Sequence, residues 1–524
     1  MATPPHSGDG EMTASAQGSR TVHAALENAV ATWADRPALL FEGSTISFRS
    51  LQELALLHLG ELQALGLSKG DTVLFMLENS PDFVALWLAA GMSGMIEVPV
   101  NTEYQGALLR HVLEDSGATV IVTTQDFVAK IEMVRPSSLR SILLLDGVTE
   151  DLTLEQRRLG ICAPRKDLGF GHVEPTQETD PLAIMYTSGT TGVSKGAVIV
   201  QRHAFEYARA VTEVLKLTPA DVYYAPLPLF HVAGQWAVVY ACLQQGSCAA
   251  LKRRFSLSRF WDDCRADGVT TGFLLGAMAQ FLIGSPASEL DADNPLDRIL
   301  LVPLVDDVQD FRDRFDVRVT TCYGSTESNV PIVSDFEVSD PRVVGRARLG
   351  FDLMIADELG EPVPTGEVGE LYVRPPESNM TLLRYHGNSS ASAEATSNLW
   401  LHTGDAMTCD AEGIYRFVDR INDAIRRRGE NISSFEVERE VRAHPAVLEC
   451  AAVGVASRYT EQEVVVFAIL QPGVTTTEDE LKEFVRQVAP RFMIPDRIII
   501  VDELPKTPTG KIQKFELRQQ IESR

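Results

Sequence analysis

Short apolar runs alternate along most of the chain with longer stretches whose apolar residues recur every three or four positions, the respective signatures of buried strands and amphipathic helices. DTVLFMLEN, from Asp71, reads as a buried strand, followed by a helix from about Pro81 and a strand at IEVPV. A helix at GALLRHVLEDSG, a strand at ATVIVTT and a strand at SILLLD come next. Such β-α-β alternation predicts parallel sheets covered by helices. From Arg342 the texture changes: MIADELGEPVPTGEVGELYVRP sets Gly/Pro turns between short alternating strands, which predicts a small antiparallel, barrel-like sheet. Beyond YRFVDRINDAIRRRGENIS come a helix (SSFEVEREVRAHP), two strands (ECAAVGVAS and EVVVFAILQ) and a helix (EDELKEFVRQVAP). The expected organisation is an α/β protein with a disordered tail over 1–20, a large domain over 21–421 and a small mobile α+β domain over 422–524.

Composition narrows the function. The chain has 524 residues and a net charge of −25, too long for one core and too acidic for nucleic acid to be its main partner. From Asp423 onward 15 Lys and Arg stand against 17 Asp and Glu, so the excess negative charge sits almost wholly in the larger part. A polyanionic ligand must therefore be held by local amides and a few placed cations. The seven cysteines form no C-x-x-C pair, which predicts reduced thiols and a cytoplasmic protein. The opening MATPPHSGDGEMTASAQGSR lacks an apolar core, so no secretory signal is expected. Phe83–Val100 is broken by Gly91, Ser93, Gly94 and Glu97 and reads as a helix and a strand, not a membrane span.

The densest chemical signal is Tyr186-Thr-Ser-Gly-Thr-Thr-Gly-Val-Ser-Lys-Gly196, directly after the apolar LAIM. Glycines and hydroxyl residues in this density turn successive donors toward one anion, and Lys195 adds a point charge for phosphate. The spacing is not that of a Walker loop. A polar surface turn is the alternative, and so dense a run after a buried strand argues against it.

This segment resembles the phosphate loop of the acyl-adenylate-forming superfamily, which holds acyl-CoA synthetases, nonribosomal adenylation domains and beetle luciferases. Four further blocks agree in the family's order: Tyr323-Gly-Ser-Thr-Glu327, Leu401-His-Thr-Gly-Asp405, the stretch from Tyr415 to Glu430, and Pro505-Lys-Thr-Pro-Thr-Gly-Lys511. The resemblance spans nearly the whole chain after about residue 20. It implies that Thr187, Ser188, Gly189, Thr190, Thr191, Gly192 and Lys195 cradle phosphate, with Tyr323 and Gly324 at the adenine. Tyr323 offers a flat face for stacking, and Thr326 and Glu327 supply a hydroxyl and a hard carboxylate for phosphate and Mg²⁺. Asp405 can accept from ribose hydroxyls, although taken alone it reads as a cap or turn aspartate. Arg420 resembles the second ribose or phosphate contact; by itself it reads as a surface ion pair.

Lys511 occupies the position of the lysine that touches the carboxylate and the α-phosphate during adenylation, where a cation between two anions lowers the barrier. Arg426-Arg427-Arg428-Gly429-Glu430-Asn431 resembles the loop that lines the pantetheine tunnel: Gly429 allows passage of the thiol arm, and Arg428 meets CoA phosphate. The hinge is expected at Asn422.

The family's branches differ at the position after Phe230. Amino-acid-activating members carry an aspartate there, whereas this chain has His231, which argues against an α-amino acid substrate because a buried ammonium would lack its partner. His231 is expected between the acyl pocket and the thiol tunnel, with a core histidine as the alternative. Few residues follow Lys511, so no carrier domain is expected. The acyl pocket should draw on Trp236, Phe273, Gly276, Ala277 and Asn329, with space at the two small residues and apolar walls at the aromatics. The segment Leu300–Asp307 departs from the Gly/Ala-rich strand end common in relatives, as a carnitine-type CoA ligase branch also does. The expected protein is a monomeric or homodimeric ligase that joins a bulky or aromatic carboxylic acid to CoA through an acyl adenylate, using ATP and Mg²⁺. The rivals are an enzyme that loads a separate carrier protein and a non-catalytic AMP sensor.

Overall fold

The computed structural model describes residues 19–134, 136–147, 160–165, 167–187, 194–421, 423, 425–427, 430–456, 462–489, 493–506 and 510–522. Ser188–Gly192 of the phosphate loop, Asn422, Arg428, Gly429 and most of the N-terminal tail lie outside them.

Two large, mostly parallel sheets make the body of the molecule. In one, the strands Val120–Thr123, Thr72–Met76, Ile96–Pro99 and Pro181–Thr187 run parallel as neighbours, and Lys195–Val200 and Arg384–Tyr385 add antiparallel partners at the edge. The other orders Arg318–Thr320, Arg298–Val302, Thr271–Leu275, Val222–Ala225, Cys248–Leu251 and Pro37–Phe41 in parallel. The predicted elements between Asp71 and Leu144 occur, with one addition: a helix at Gln125–Val134 joins the two predicted strands. Parallel neighbours need such a crossover.

The helix Pro81–Ser93 shows how the sequence writes these elements. Ser80 accepts from the Phe83 amide at 3.2 Å, Pro81 opens the first turn, and Gly94 ends the helix at φ 71°. From Phe83 to Ser93 every residue is buried, so the helix is apolar all round and lies in the main core with Trp87 and Trp236. Fully burying each large side chain there contributes about 1.5–3 kcal/mol.

The antiparallel sheet begins earlier than the change of texture at Arg342 suggests. It already contains Cys322–Ser325 and Asn329–Val333, then Val343–Ala347, Tyr415–Arg420, Leu401–Cys409, Gly369–Arg374 and Asp352–Ala356. Beyond it, Val447–Ala456, Gln462–Leu470 and Arg497–Ile500 form a separate sheet between two small apolar cores. The packed chain also starts before Thr21. Arg20 is buried and bonds to Glu178, Glu206 and Glu377, an ion cluster that a reading of residues 1–20 as one tail misses.

Candidate active site

The phosphate-loop edges are set by a hairpin. Thr187 ends one strand and Lys195 starts the next, directly opposite it in register. The hairpin is pinned from outside by the Tyr186 hydroxyl, which donates to Asp115 at 2.7 Å, and by His111, which bonds the Ser194 carbonyl at 2.9 Å. The Thr187 hydroxyl points across to Glu327 and donates to its carboxylate at 3.0 Å. The Lys195 ammonium lies 5.3 Å from the centre of the Tyr385 ring, whose hydroxyl donates to the same Glu327 carboxylate at 3.2 Å. Hydroxyl, carboxylate and ammonium thus converge at one end of the loop, an oxygen-rich set suited to phosphate and to the hard cation that accompanies it.

Tyr385 is not legible as a site residue in the sequence. It sits on a two-residue strand, Arg384–Tyr385, hydrogen-bonded to the loop's second strand. An isolated Arg-Tyr pair carries no periodicity to announce that.

The strand carrying Tyr323 and Gly324 turns back on itself through Thr326 and Glu327. A Cβ at Gly324 would stand 2.5 Å from the Asn329 carbonyl, so only glycine fits this close approach. The Tyr323 hydroxyl donates to Asp405 at 2.5 Å. Asp405 lies directly opposite Arg420 in the antiparallel register, and their charged groups are 3.4 Å apart. Burial pushes the Asp405 carboxyl upward while Arg420 and the Tyr323 hydrogen bond oppose it. Thr326, in the turn after Gly324, is buried.

The C-terminal segment completes the cluster. The Lys511 ammonium lies within charge range of Arg420, Asp405 and Glu327, and acts on His231 as well. Its pKa is lowered, first by desolvation and then by Arg420, with the two carboxylates opposing. The residue as a whole is exposed. His231 caps a short turn: its Nδ1 accepts from the Ala233 amide at 3.2 Å, which leaves the proton on Nε2. Burial, and then the Lys511 charge, push the imidazole down to about 4, so it is neutral near pH 7.

The expected acyl-pocket residues divide. Phe273 lies in the middle of the strand Thr271–Leu275, and Gly276 starts the next helix with Pro303 so near that a Cβ would lie 3.0 Å from its carbonyl. Ala277 beside them is exposed. Trp236 is fully buried and packs against His203 and Tyr207, with centroids 6.1 and 6.0 Å away, so it forms a layer within the core rather than an open wall. Asn329 is also fully buried, at φ 65°, and its side chain is used by structure: it donates to the His203 and Met380 carbonyls at 3.0 Å each and accepts from Val330 at 2.8 Å. The unusual segment forms the strand Arg298–Val302, a cis Val302–Pro303 peptide and the N-cap of Val308–Phe315.

A loop edge with a cation, a tyrosine–aspartate–arginine group and a lysine from far along the chain are chemically suited to a phosphorylated nucleotide. Sequence comparison agrees with that class. A family model described as AMP-binding enzyme matches residues 26–383, and its C-terminal domain matches 436–511. The chain belongs to the AMP-binding enzyme family. Crotonobetaine/carnitine–CoA ligase of Salmonella typhimurium is 28% identical over 522 residues, covering 96% of this chain and 99% of the relative. That of Citrobacter koseri is 28% identical over 513 residues, with the same coverage. In fold the chain is similar to the anthranilate CoA ligase AuaEII in complex with anthranoyl-AMP, with TM-score 0.85, 24% identity, and 96% and 97% of the two chains covered. It is also similar to a benzoate CoA ligase from Burkholderia xenovorans, with TM-score 0.83, 22% identity, and 95% and 99% covered. Among the described residues no helix is long and apolar enough to cross a membrane.

Proposed function

We propose that the protein is an ATP-dependent carboxylic acid–CoA ligase that works through an acyl adenylate, on a bulky or aromatic acid. The observation that carries this reading is the Tyr323–Asp405–Arg420 group, with Lys511 within range of its charges and of Glu327 and His231. A pure nucleotide binder has no need of a lysine brought from the last elements of the chain into a cleft already holding Arg420.

In the first step a carboxylate oxygen attacks the α-phosphorus of ATP, forming a P–O bond as the bond to pyrophosphate breaks. Lys511 stands where the two anions meet and offsets the charge that develops between them. Asp405 and Arg420 hold the ribose and Tyr323 the adenine, while Thr187, Lys195 and the loop residues Ser188–Gly192 hold the phosphates. The Glu327 carboxylate and the Thr326 hydroxyl fit Mg²⁺, whose chemistry here is to neutralise the phosphate oxygens. In the second step the CoA thiolate attacks the acyl carbon; a C–S bond forms and AMP leaves with the bonding pair. A rotation of the C-terminal part about Asn422 exchanges Lys511 for the Gly429 loop between steps, with Arg428 toward the CoA phosphates. The acid lies near His231, Phe273, Gly276 and Ala277. The names of the relatives, all CoA ligases, support the acceptor and a bulky acid without selecting one.

The test is product analysis: with ATP, Mg²⁺, CoA and an accepted acid, equal amounts of AMP, pyrophosphate and acyl-CoA are expected. AMP and pyrophosphate without acyl-CoA, or transfer only to a carrier protein, would overturn the acceptor assignment.

A further inference from the structure

Glu97 is a carboxyl group in an unusual place. It lies at the centre of the first sheet, opposite Val73 in one neighbouring strand and Ala183 in the other, and is fully buried. Its partner is Gln235, 1% exposed, whose side-chain amide donates to Glu97 Oε2 at 3.0 Å. Glu97 Oε1 and Gln235 Oε1 are also buried, and neither has a hydrogen-bond partner. An ionised Glu97 would leave an unpaired charge in the core beside an unsatisfied amide oxygen, an arrangement that burial strongly disfavours. One proton removes both problems: Oε1–H of the acid donates to Gln235 Oε1 while the amide donates to Oε2, and all four polar atoms are satisfied. Burial acts in the same direction, pushing the Glu97 carboxyl up to about 8 against the Gln235 hydrogen bond.

We propose that Glu97 is a neutral carboxylic acid closed into a two-hydrogen-bond ring with the Gln235 amide, and that this ring is the positioning device that fixes His231 beside the reacting acid. The second half rests on the ligase reading. Gln235 opens a π-helix, Gln235–Tyr240, a rare and less stable geometry that recurs at functional sites. Its backbone amide donates to the His231 carbonyl at 3.1 Å. Between them Gly234 lies so close to the Leu227 and Pro228 carbonyls that a Cβ would stand 2.5 and 2.3 Å from them. Residues His231–Gln235 are therefore a short, clamped unit, and Glu97 holds its far end. An apolar pair would fill the same space without a buried carboxyl, whereas the acid–amide ring fixes direction as well as volume.

The infrared difference between wild type and Glu97→Gln at pH 7 reads the first half directly. A protonated-carboxyl carbonyl band that the variant lacks is expected; a carboxylate band in its place overturns the ring. For the second half, Gln235→Met and Glu97→Met, which remove both bonds of the ring, should raise KM for the acid by about tenfold with KM for ATP unchanged. Glu97→Gln, whose amide makes the same two bonds, should restore it. Equal changes in both KM values, or a Glu97→Gln variant as impaired as Glu97→Met, overturn the positioning role. Should wild type show no acid-dependent turnover, the ligase reading fails and the positioning role with it, while the infrared band still decides the ring.

Discussion

Lys511 is the residue on which most of the chemistry turns, and its surroundings dictate how it should behave. Desolvation and Arg420 lower its pKa from the usual lysine value. The cation is therefore lost at a lower pH than for a free lysine, so adenylation should fall on the alkaline side before pH 10.5. A rate profile of the first half-reaction measures this, and Lys511→Arg, which stays protonated, should abolish the alkaline fall even if its rate is low. Replacing Lys511 by Ala should slow adenylation by about 10²–10³-fold, the scale of one lost electrostatic contact in a preorganised site. Thioester formation from supplied acyl adenylate should survive that change. Equal loss in both halves would contradict the exchange of Lys511 for the Gly429 loop. His231, held down to about 4, adds no inflection near pH 6.5 to either profile.

At the scale of elements, the turn between Tyr323 and Asn329 is the clearest case of a local rule serving the site. Gly324→Ala drives a Cβ to 2.5 Å from the Asn329 carbonyl. Overpacking of this kind costs about 1–3 kcal/mol. Here it displaces Tyr323 and Glu327 together, so a lower melting temperature and a raised KM for ATP are expected in the same variant. A change in stability alone would mean that the strand moves without its side chains. The elements are largely legible in the sequence because period and turn chemistry are local: DTVLFMLEN, the helix from Pro81 and the C-terminal helix–strand–strand–helix unit all stand where the pattern predicts them. The features that are not legible depend on distant chain. Tyr385 gains its place from pairing with the loop hairpin, and the π-helix arises from contacts that no 3.6-residue period records. Asn329 and Trp236 read as pocket residues in the sequence, yet one ties the His203 and Met380 carbonyls together and the other packs in the core.

At the scale of the whole molecule, the proposed rotation needs contacts that hold the C-terminal part in the arrangement with Lys511 in the cleft. Ser434 supplies them: its amide and hydroxyl both donate to the buried Asp419 carboxylate, at 2.5 and 2.7 Å. Ser433 donates to the Val418 carbonyl at 2.8 Å, and Arg442 stands 4.0 Å from Asp306 in the larger part. These bonds bridge the segment around Asn422, so weakening them should favour the other arrangement. Ser434→Ala removes the hydroxyl's bond to Asp419 and the one it accepts from the Lys514 ammonium, about 1 kcal/mol each. It should slow adenylation a few-fold and leave thioester formation from acyl adenylate as fast or faster, as half-reaction rates would show. Slowing of both halves alike would mean that these contacts merely stabilise the fold.

Carboxylate-dependent pyrophosphate release bears most directly on the ligase reading. Purified protein with ATP and Mg²⁺ would be presented with aromatic, bicyclic, medium-chain and betaine-like acids, each with and without CoA. Release is expected to depend on the acid, to select within the panel and to turn over many times only when CoA is present. Release limited to one turnover with CoA would contradict CoA as the acceptor, and AMP binding without any acid-dependent release would contradict the ligase itself.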